Sequence, residues 1–257
     1  MISTLEKTIT FRYLKPKKKD GFLNIISIFS FIGITLGVSV LIIVMSVMNG
    51  FRDELVSRII GINGHINIFS SNNIITDEEI SLFENNLDLN TFSLNPIIIT
   101  QGLIMSDEDS RGIYIKSMET EDLFKNKEFY HNIKYGNTYS NNSDEILIGS
   151  KLSILLGVNI NDKVKIVIPK TDKTIFGNIP RFKTLTVVGI FDLGMYEYDS
   201  SFVFVPYEIG RSLLLLNKNE FNKLEIFIKN PDYVDEHVSF FNNIISSNNL
   251  FHLFINS

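Results

Sequence analysis

The chain has 257 residues and a formal net charge of −5, and it contains no Cys and no Trp. The lack of Cys excludes disulfide bonds, thiolate metal sites and a cysteine nucleophile. The charge is unevenly distributed, because residues 1–20 carry a net charge of +4 and residues 21–257 carry −9. An acidic body argues against nucleic-acid binding, whereas a short basic start is typical of a membrane-anchored protein.

The first predicted element is a transmembrane helix. No charged residue occurs from Gly21 to Phe51, and about 20 mostly apolar residues suffice to span a bilayer. A cleaved signal peptide has a shorter apolar core that ends at a small-residue cleavage site, and this run has neither property. We therefore expect a cytoplasmic basic and amphipathic segment at 1–20, a transmembrane helix at 21–50 and a stalk helix at 51–63.

The basic cluster KPKKK at residues 15–19 predicts the orientation of this helix. Lys and Arg accumulate on the cytoplasmic side of membrane helices. The N-terminus is therefore expected in the cytoplasm and the following domain outside, which in a Gram-negative cell is the periplasm. Gly33 and Gly37 form a GxxxG pair that lets another helix approach closely. The alternative is that they reflect only the general abundance of Gly in membrane helices.

Residues 64–257 have the pattern of a mixed α/β domain. Runs rich in β-branched and aromatic residues predict strands, and apolar residues at helical spacing predict helices. The predicted strands are 65–69, 96–105, 112–117, 163–168, 184–191, 201–206 and 223–229. The predicted helices are 77–87, 150–157, 207–216 and 232–247.

The sequence motifs of common enzyme classes are absent. There is no GxxxxGK[ST] loop for ATP, no GxSxG nucleophile and no HExxH zinc motif. The four His residues are scattered without the spacing of metal ligands, so they are predicted to be structural or solvated. We therefore predict no catalytic residue, no cofactor and no metal site, and we expect that the chain is not an enzyme.

The segment between two predicted strands, at 168–184, is the main functional candidate. It contains two prolines, a glycine and several cations around the apolar pair Ile175–Phe176. The β-branched strands on either side are suited to antiparallel pairing, which predicts a projecting hairpin with an apolar tip and a basic stem. An aromatic anchor within a charged rim is typical of a small protein interface. The alternative is a solvated loop with Phe176 folded back onto the domain.

Three stretches of the sequence resemble the LolC/LolE family, the permease subunits of the ABC-type complex that releases lipoproteins from the bacterial inner membrane. Residues 11–55 resemble the first membrane helix of the family, including the run SVMNGF. Residues 145–169 resemble a segment shared with the wider group of MacB-like permeases. An F-G-x-x-P-R-x-K run at 176–183, followed by G-M-x-E-Y-D at 194–199, is most similar to alphaproteobacterial members.

The resemblance implies the fold class α+β, with one N-terminal transmembrane helix and a mixed α/β periplasmic domain of the MacB-like permease type. Family members have four membrane helices, three of them after this domain. The chain is therefore expected to be a fragment, a truncated reading frame or a deliberately shortened piece in which the downstream helices are absent. The implied location is the inner membrane. The implied partners are a cytoplasmic ATP-binding subunit, a second permease protomer of the same or a related kind, a periplasmic lipoprotein carrier and the lipoprotein cargo.

The resemblance also implies roles for individual residues. In this family a periplasmic hairpin captures the lipoprotein carrier, and the residues at the corresponding position are Ile175, Phe176, Gly177, Pro180, Arg181 and Lys183. The acyl chains of the cargo need an apolar site at the outer leaflet, and Met is adaptable enough to serve many cargoes. The expected acyl contacts are Val44, Met45, Val47, Met48 and Phe51. The alternative for these five residues is plain contact with lipid.

Two other functions remain open on the sequence. One is a different MacB-like permease, of the efflux or cell-division type, without a lipoprotein cargo. The other is a membrane-tethered periplasmic binding module that only docks a partner, and the missing downstream helices favour it for the chain as it stands.

Overall fold

A computed structural model describes residues 4–14, 21–60, 63–88, 91–125, 127–141, 143–174, 177–228 and 234–256. The contacts between residues divide the chain into two units, Met1–Ser57 and Arg58–Ser257.

The first unit contains α1 (Thr4–Leu14) and all of α2 (Gly21–Ile60) except its last three residues. α2 is one continuous helix of 40 residues. Its segment Ile25–Arg52 is long and apolar enough to cross a membrane. Every side chain of this segment is exposed, which is the pattern of a helix that needs an apolar environment around it.

The second unit contains twelve strands and seven helices within the described ranges. The strands are β1 (Ile66–Ser70), β2 (Ile75–Thr76), β3 (Phe92–Met105), β4 (Ser110–Ser117), β5 (Ile133–Gly136), β6 (Glu145–Gly149), β7 (Lys163–Thr174), β8 (Gly177–Phe191), β9 (Phe202–Val205), β10 (Glu220–Phe221), β11 (Lys223–Ile228) and β12 (Leu253–Asn256). The helices are α3 (Asp77–Asn86), α4 (Thr120–Lys125), α5 (Lys127–His131), α6 (Ser150–Leu156), α7 (Tyr196–Ser201), α8 (Tyr207–Leu214) and α9 (Val234–Ser247).

Six strands pair in a closed ring, which we call the barrel. β3 pairs with β4, β4 with β9, β9 with β6, β6 with β8, β8 with β7, and β7 with β3 again. β4–β9 and β6–β8 are parallel and the other pairs are antiparallel. A side chain at Gly102 would place its Cβ 2.7 Å from the carbonyl oxygen of Val167, so the approach of β3 to β7 requires glycine there.

Alternating side chains of the barrel strands form one hydrophobic cluster. It includes Ile104, Ile113, Ile115, Ile146, Ile148, Val164, Ile166, Ile168, Leu185, Val187, Val203 and Val205. Leu152 and Leu156 of α6 and Ile209 and Leu213 of α8 belong to the same cluster. The barrel is therefore a packed core rather than an open channel.

The first half of β3 leaves the barrel and extends into an open sheet of order β12-β1-β11-β3. An aromatic group packs in the core of this sheet. The ring centroid of Phe241 in α9 lies 6.3 Å from that of Phe83 in α3 and 5.6 Å from that of Phe92 in β3. α3 starts with a capping box, in which Thr76 and Glu79 bond each other's backbone N–H groups. β2 and β10 form a separate two-stranded sheet.

The predicted fold class α+β is confirmed, as are all seven predicted strands and all four predicted helices of the domain. One prediction of extent was wrong, because β3 begins at Phe92 rather than at residue 96. β7 and β8 extend beyond the predicted strands into the segment 168–184 that was predicted to form a projecting hairpin. Eight elements of the described ranges were not predicted, namely β2, β5, β6, β10, β12, α4, α5 and α7.

Candidate functional site

The predicted hairpin is formed by β7 and β8. Their pairing runs from Lys163↔Thr186 to Ile168↔Arg181, is interrupted by a bulge, and continues from Thr171↔Pro180 to Thr174↔Gly177. Ile175 and Phe176 come between the last two paired residues in the sequence and lie outside the described residues. The bulge accommodates Pro169, which has no N–H to donate to a ladder.

The outer part of this hairpin is a two-stranded ribbon. β7 pairs with β3 only through residues 165–167, and β8 pairs with β6 and β5 only from Thr186 onward. Among the strands of the described ranges, residues 171–174 and 177–180 have no ladder partner except each other. Among the described strands, both edges of the ribbon therefore lack a ladder partner, which is the arrangement that pairing with another chain uses.

Arg181 lies at the base of the hairpin and is half-buried. Its Nη1 donates a hydrogen bond of 2.9 Å to the carbonyl oxygen of Leu213 in the last turn of α8. The last carbonyls of a helix have no partner within the helix, so the guanidinium caps α8. Arg181 therefore fixes the hairpin to the barrel, a role that its sequence position did not predict.

The other predicted hairpin residues differ in their surroundings. Gly177 is the first residue of β8, and Pro180 is exposed. Lys183 forms an ion pair with Asp144, with Nζ 2.9 Å from Oδ1. Both side chains of this pair are partly exposed, so it contributes little to stability. All four residues therefore lie on β8. Gly177 is at the tip of the hairpin, Pro180 is in its middle, and Arg181 and Lys183 are at its base.

Phe182 was missed by the sequence analysis. It is 56% exposed on β8, and the Nζ of Lys165 lies 4.0 Å from the centre of its ring, a cation–π contact. The signal was available, because the inward positions Leu185 and Val187 set a period of two that directs Phe182 outward. The run IPRFK was assigned to the predicted hairpin, but Phe182 was not singled out among its residues.

The predicted residues of α2 share one side of that helix. At 100° per residue, Gly33, Gly37, Val44, Met48 and Phe51 fall within about 60° of one another, and Val47 and Met45 lie at the two margins of this stripe. A Cβ added at either glycine meets nothing within 4 Å. All five predicted acyl contacts are exposed. The helix-packing pair and the acyl contacts therefore form one continuous surface.

A buried ion cluster on the sheet is the second feature that the sequence did not reveal. Glu225 is fully buried, and its Oε2 and Oε1 lie 2.8 Å from the Nζ atoms of Lys116 and Lys223. Burial alone would raise the pKa of the Glu225 carboxyl, but the charges and hydrogen bonds of the two lysines outweigh burial and lower this pKa. The two lysines therefore stabilise the ionised form of the Glu225 carboxyl.

The chain enters the domain beside this cluster. A Cβ at Gly64 would lie 2.9 Å from the Cβ of Glu225 and 2.8 Å from the backbone nitrogen of Ile226. Asn63 donates a hydrogen bond of 2.5 Å to the hydroxyl of Tyr198. In the described part of the chain, no three His, Asp or Glu side chains converge as metal ligands.

The model of the MacB-like periplasmic core domain family matches residues 27–237. The chain is 31% identical over 217 residues to the lipoprotein-releasing system transmembrane protein LolC of Neisseria meningitidis serogroup B, a match that covers 84% of this chain and 52% of that protein. It is also 31% identical over 223 residues to the protein of the same name from Xylella fastidiosa strain Temecula1, covering 84% and 53%. The chain spans about half the length of the curated relatives it matches.

The fold of the second unit is similar to that of a solved structure. It is the extracellular domain of the noncanonic ABC-type transporter YknZ from Gram-positive bacteria, with a TM-score of 0.50. The identity is 11%, and the match covers 75% of this chain and 99% of that domain. At this identity the similarity concerns the fold alone.

Proposed function

Because the chain belongs to the MacB-like periplasmic core domain family and is a LolC/LolE family member, we propose that it serves in a permease subunit of an ABC-type complex that releases lipoproteins from the inner membrane. The observation that carries this proposal is the 31% identity to LolC over 84% of the chain. As a family member, the chain is an inner-membrane protein with a periplasmic domain. ATP hydrolysis is assigned to a separate cytoplasmic subunit, and release passes the lipoprotein to a periplasmic carrier.

The N-terminus is proposed to lie in the cytoplasm. The support is the net charge of +4 in residues 1–20, directly before an apolar span. This orientation carries α2 outward and leaves the barrel in the periplasm. A reporter fused after residue 60 is expected to be active only on the outer side, and activity in the cytoplasm would refute the orientation.

The surface of α2 suggests how the cargo enters. Gly33 and Gly37 allow close approach of a helix from a second permease protomer, and the acyl contacts continue the same face toward Phe51. Two such helices that meet at the glycines diverge into an apolar cleft at Val44, Met48 and Phe51. Acyl chains in this cleft would contact flexible and branched side chains without a specific shape, which suits a varied cargo.

The hairpin is proposed to hold the carrier. The ribbon edges without a strand partner, the basic residues of its stem and the exposed Phe182 support this role. Main-chain groups and an apolar anchor together provide affinity and orientation. Ile175, Phe176, Gly177 and Pro180 form the tip in this proposal. Closure of the periplasmic domains, driven by ATP hydrolysis in the separate subunit, then passes the lipoprotein to the carrier.

Reconstitution tests the function directly. The complete permease that contains this domain is placed in proteoliposomes with an ATP-binding subunit, a second permease protomer and a radiolabelled acylated lipoprotein. Release into the soluble fraction is expected only when ATP and the carrier are both present. A control with a catalytically inactive ATP-binding subunit should release nothing. If the complex instead exports small apolar compounds and leaves the lipoprotein in the membrane, the efflux alternative replaces the proposal.

A further inference from the structure

The outer surface of the barrel carries an apolar strip across five neighbouring strands. Leu103 of β3, Tyr114 of β4 and Phe182 of β8 are 49%, 40% and 56% exposed. The outer face of an antiparallel sheet is usually polar when it meets water, and an exposed run of large apolar side chains marks an interaction surface. The packing of the domain does not explain the exposure of these three side chains, whereas Phe202 and Tyr198 at one end of the strip are half-buried against the core.

The strand register makes the strip continuous. Leu103 pairs with Val167, and Val167 pairs with Phe182. Tyr114 pairs with Phe202 in β9, and their rings stack with centroids 5.0 Å apart. Leu103 and Tyr114 are diagonal neighbours across β3 and β4, because Leu103 pairs with Gly112. Four inter-strand steps of about 4.8 Å make the strip about 19 Å long.

One end of the strip lies where the chain enters the domain, and the other end lies at the stem of the hairpin. At one end, Phe202 stacks on Tyr198 with centroids 4.7 Å apart, and the Tyr198 hydroxyl accepts a hydrogen bond from Asn63, where the chain enters the domain three residues after α2. At the other end, Phe182 lies in the stem of the hairpin, next to Arg181. The strip thus runs from the side of the domain where Asn63 contacts Tyr198 to the base of the carrier-docking hairpin.

We propose that this strip, defined by Tyr198, Phe202, Tyr114, Leu103, Val167 and Phe182, is the surface along which the acyl chains of the lipoprotein cross the domain. The proposal rests on the proposed function. Acyl chains need a long and narrow apolar surface without a matching set of hydrogen-bond partners, and the strip has this form. Lys165 borders it but directs its charge at the ring of Phe182, and Gly112 adds no side chain that would interrupt it.

Photo-crosslinking in the reconstituted complex identifies the occupant. A benzophenone amino acid replaces Leu103 and, as a matched control, Ile154, which is 74% exposed in α6 and not part of the strip. The probe is an acylated lipoprotein, compared with the same polypeptide without acyl chains. We expect an ATP-dependent adduct of position 103 with the acylated form alone, and none from position 154. No adduct, an equal adduct with the unacylated form, or an adduct with the carrier or a second permease overturns the proposal.

A variant provides the functional test. Leu103→Asp is expected to slow transfer to the carrier by about tenfold, the effect of losing contact with about two methylene groups, without weakening carrier binding. Ile154→Asp should leave transfer unchanged, and the melting temperature of both variants reports folding. Unchanged transfer in a folded Leu103→Asp variant would refute the acyl path. The two proposals fail in different ways. If the native complex releases lipoprotein but position 103 gives no adduct, only the acyl path is refuted. If the native complex releases no lipoprotein, the proposed function is refuted.

Discussion

Arg181 and Leu213 connect the hairpin to the barrel, because the guanidinium Nη1 donates a 2.9 Å hydrogen bond to the helix-terminal carbonyl oxygen of Leu213. Leu213 itself is buried in the barrel cluster. The residue after the last turn of α8, Leu215, has a left-handed backbone with φ of 56°, so α8 ends at this point. Arg181 therefore acts at the base of the hairpin, apart from the tip that is proposed to contact the carrier.

Replacement of Arg181 tests this structural role. Arg181→Ala removes the charged donor that pairs with the Leu213 carbonyl at the end of α8. The loss should lower the free energy of unfolding by about 1.5 kcal/mol and the melting temperature by about 3–6 °C. Arg181→Lys keeps a cation and should recover part of the loss. Thermal unfolding of the detergent-solubilised protein measures both. An unchanged melting temperature in Arg181→Ala would show that the bond contributes nothing.

Replacement of Phe176 tests carrier docking without changing Arg181 at the base of the hairpin. If Phe176 is the apolar anchor at the tip, Phe176→Ala should weaken carrier binding by about 30-fold or more, since a central aromatic anchor contributes about 2 kcal/mol or more. Titration calorimetry or surface plasmon resonance measures the affinity. The matched control is Phe240→Ala on α9, an exposed aromatic outside the hairpin. Equal affinities of the native protein and Phe176→Ala would exclude the hairpin tip as the docking site.

Gly33 and Gly37 provide a test of the proposed helix interface. Each substitution Gly33→Leu or Gly37→Leu adds a side chain where the helix surface is bare, and a partner helix can then no longer approach closely. Disulfide crosslinking between protomers through a Cys introduced at Ser30 should fall in both variants. Gly50→Leu, which lies outside the pair, is the control. Undiminished crosslinking would mean that the glycines do not form the contact.

The sequence predicts the elements of this fold that have a periodic pattern and misses those that depend on distant contacts. Alternation in TLTVVGIF predicted β8, since one face of the strand packs into the barrel. The run EILIG of β6 was missed because it is buried on both faces and such a run has no period. Lys116 stands on the face of β4 opposite Ile113 and Ile115, and a lysine at such a position is usually exposed. Its burial depends on Glu225, which is 109 residues away in sequence, and no local pattern contains that contact.

Glu225 is predicted to be indispensable for the stability of the sheet. Glu225→Gln removes the negative charge that the ammonium groups of Lys116 and Lys223 contact in a buried position. Breaking a buried ion pair from one side costs about 3–5 kcal/mol. Urea unfolding should therefore show a large loss of stability. The control Glu208→Gln affects an exposed carboxylate paired with Arg211 and should change stability by less than about 1 kcal/mol.

The same carboxylate gives a prediction for acid pH. Because the folded-state pKa of Glu225 is lowered by the two lysines, the native state holds this carboxylate ionised while the unfolded chain protonates near pH 4.3. Its contribution is fully present above that pH and is lost as the pH falls through the lowered pKa. Stability measured from pH 6 to pH 3 should decline in the native protein and decline less steeply in Glu225→Gln. Parallel curves would contradict this assignment.

Gly64 is predicted to be required where the chain joins the sheet. A methyl group there would meet the backbone nitrogen of Ile226 at 2.8 Å and the Cβ of Glu225 at 2.9 Å, and neither atom belongs to the flexible end of a side chain. His65, the next residue, is held by a 3.0 Å hydrogen bond from the Ile228 N–H to its Nδ1, so the segment cannot shift freely. Gly64→Ala should therefore cost about 1–3 kcal/mol.

Thermal unfolding measures this cost as a decrease of about 2–10 °C in melting temperature. The matched control is Gly112→Ala, because a Cβ at Gly112 on the outer face of β4 meets nothing within 4 Å. The control should melt at or slightly above the native temperature, since alanine restricts the unfolded chain. Similar melting temperatures for the two variants would mean that the chain can move away from β11. In that case the close packing of Gly64 over Glu225 would not be a constraint on the sequence.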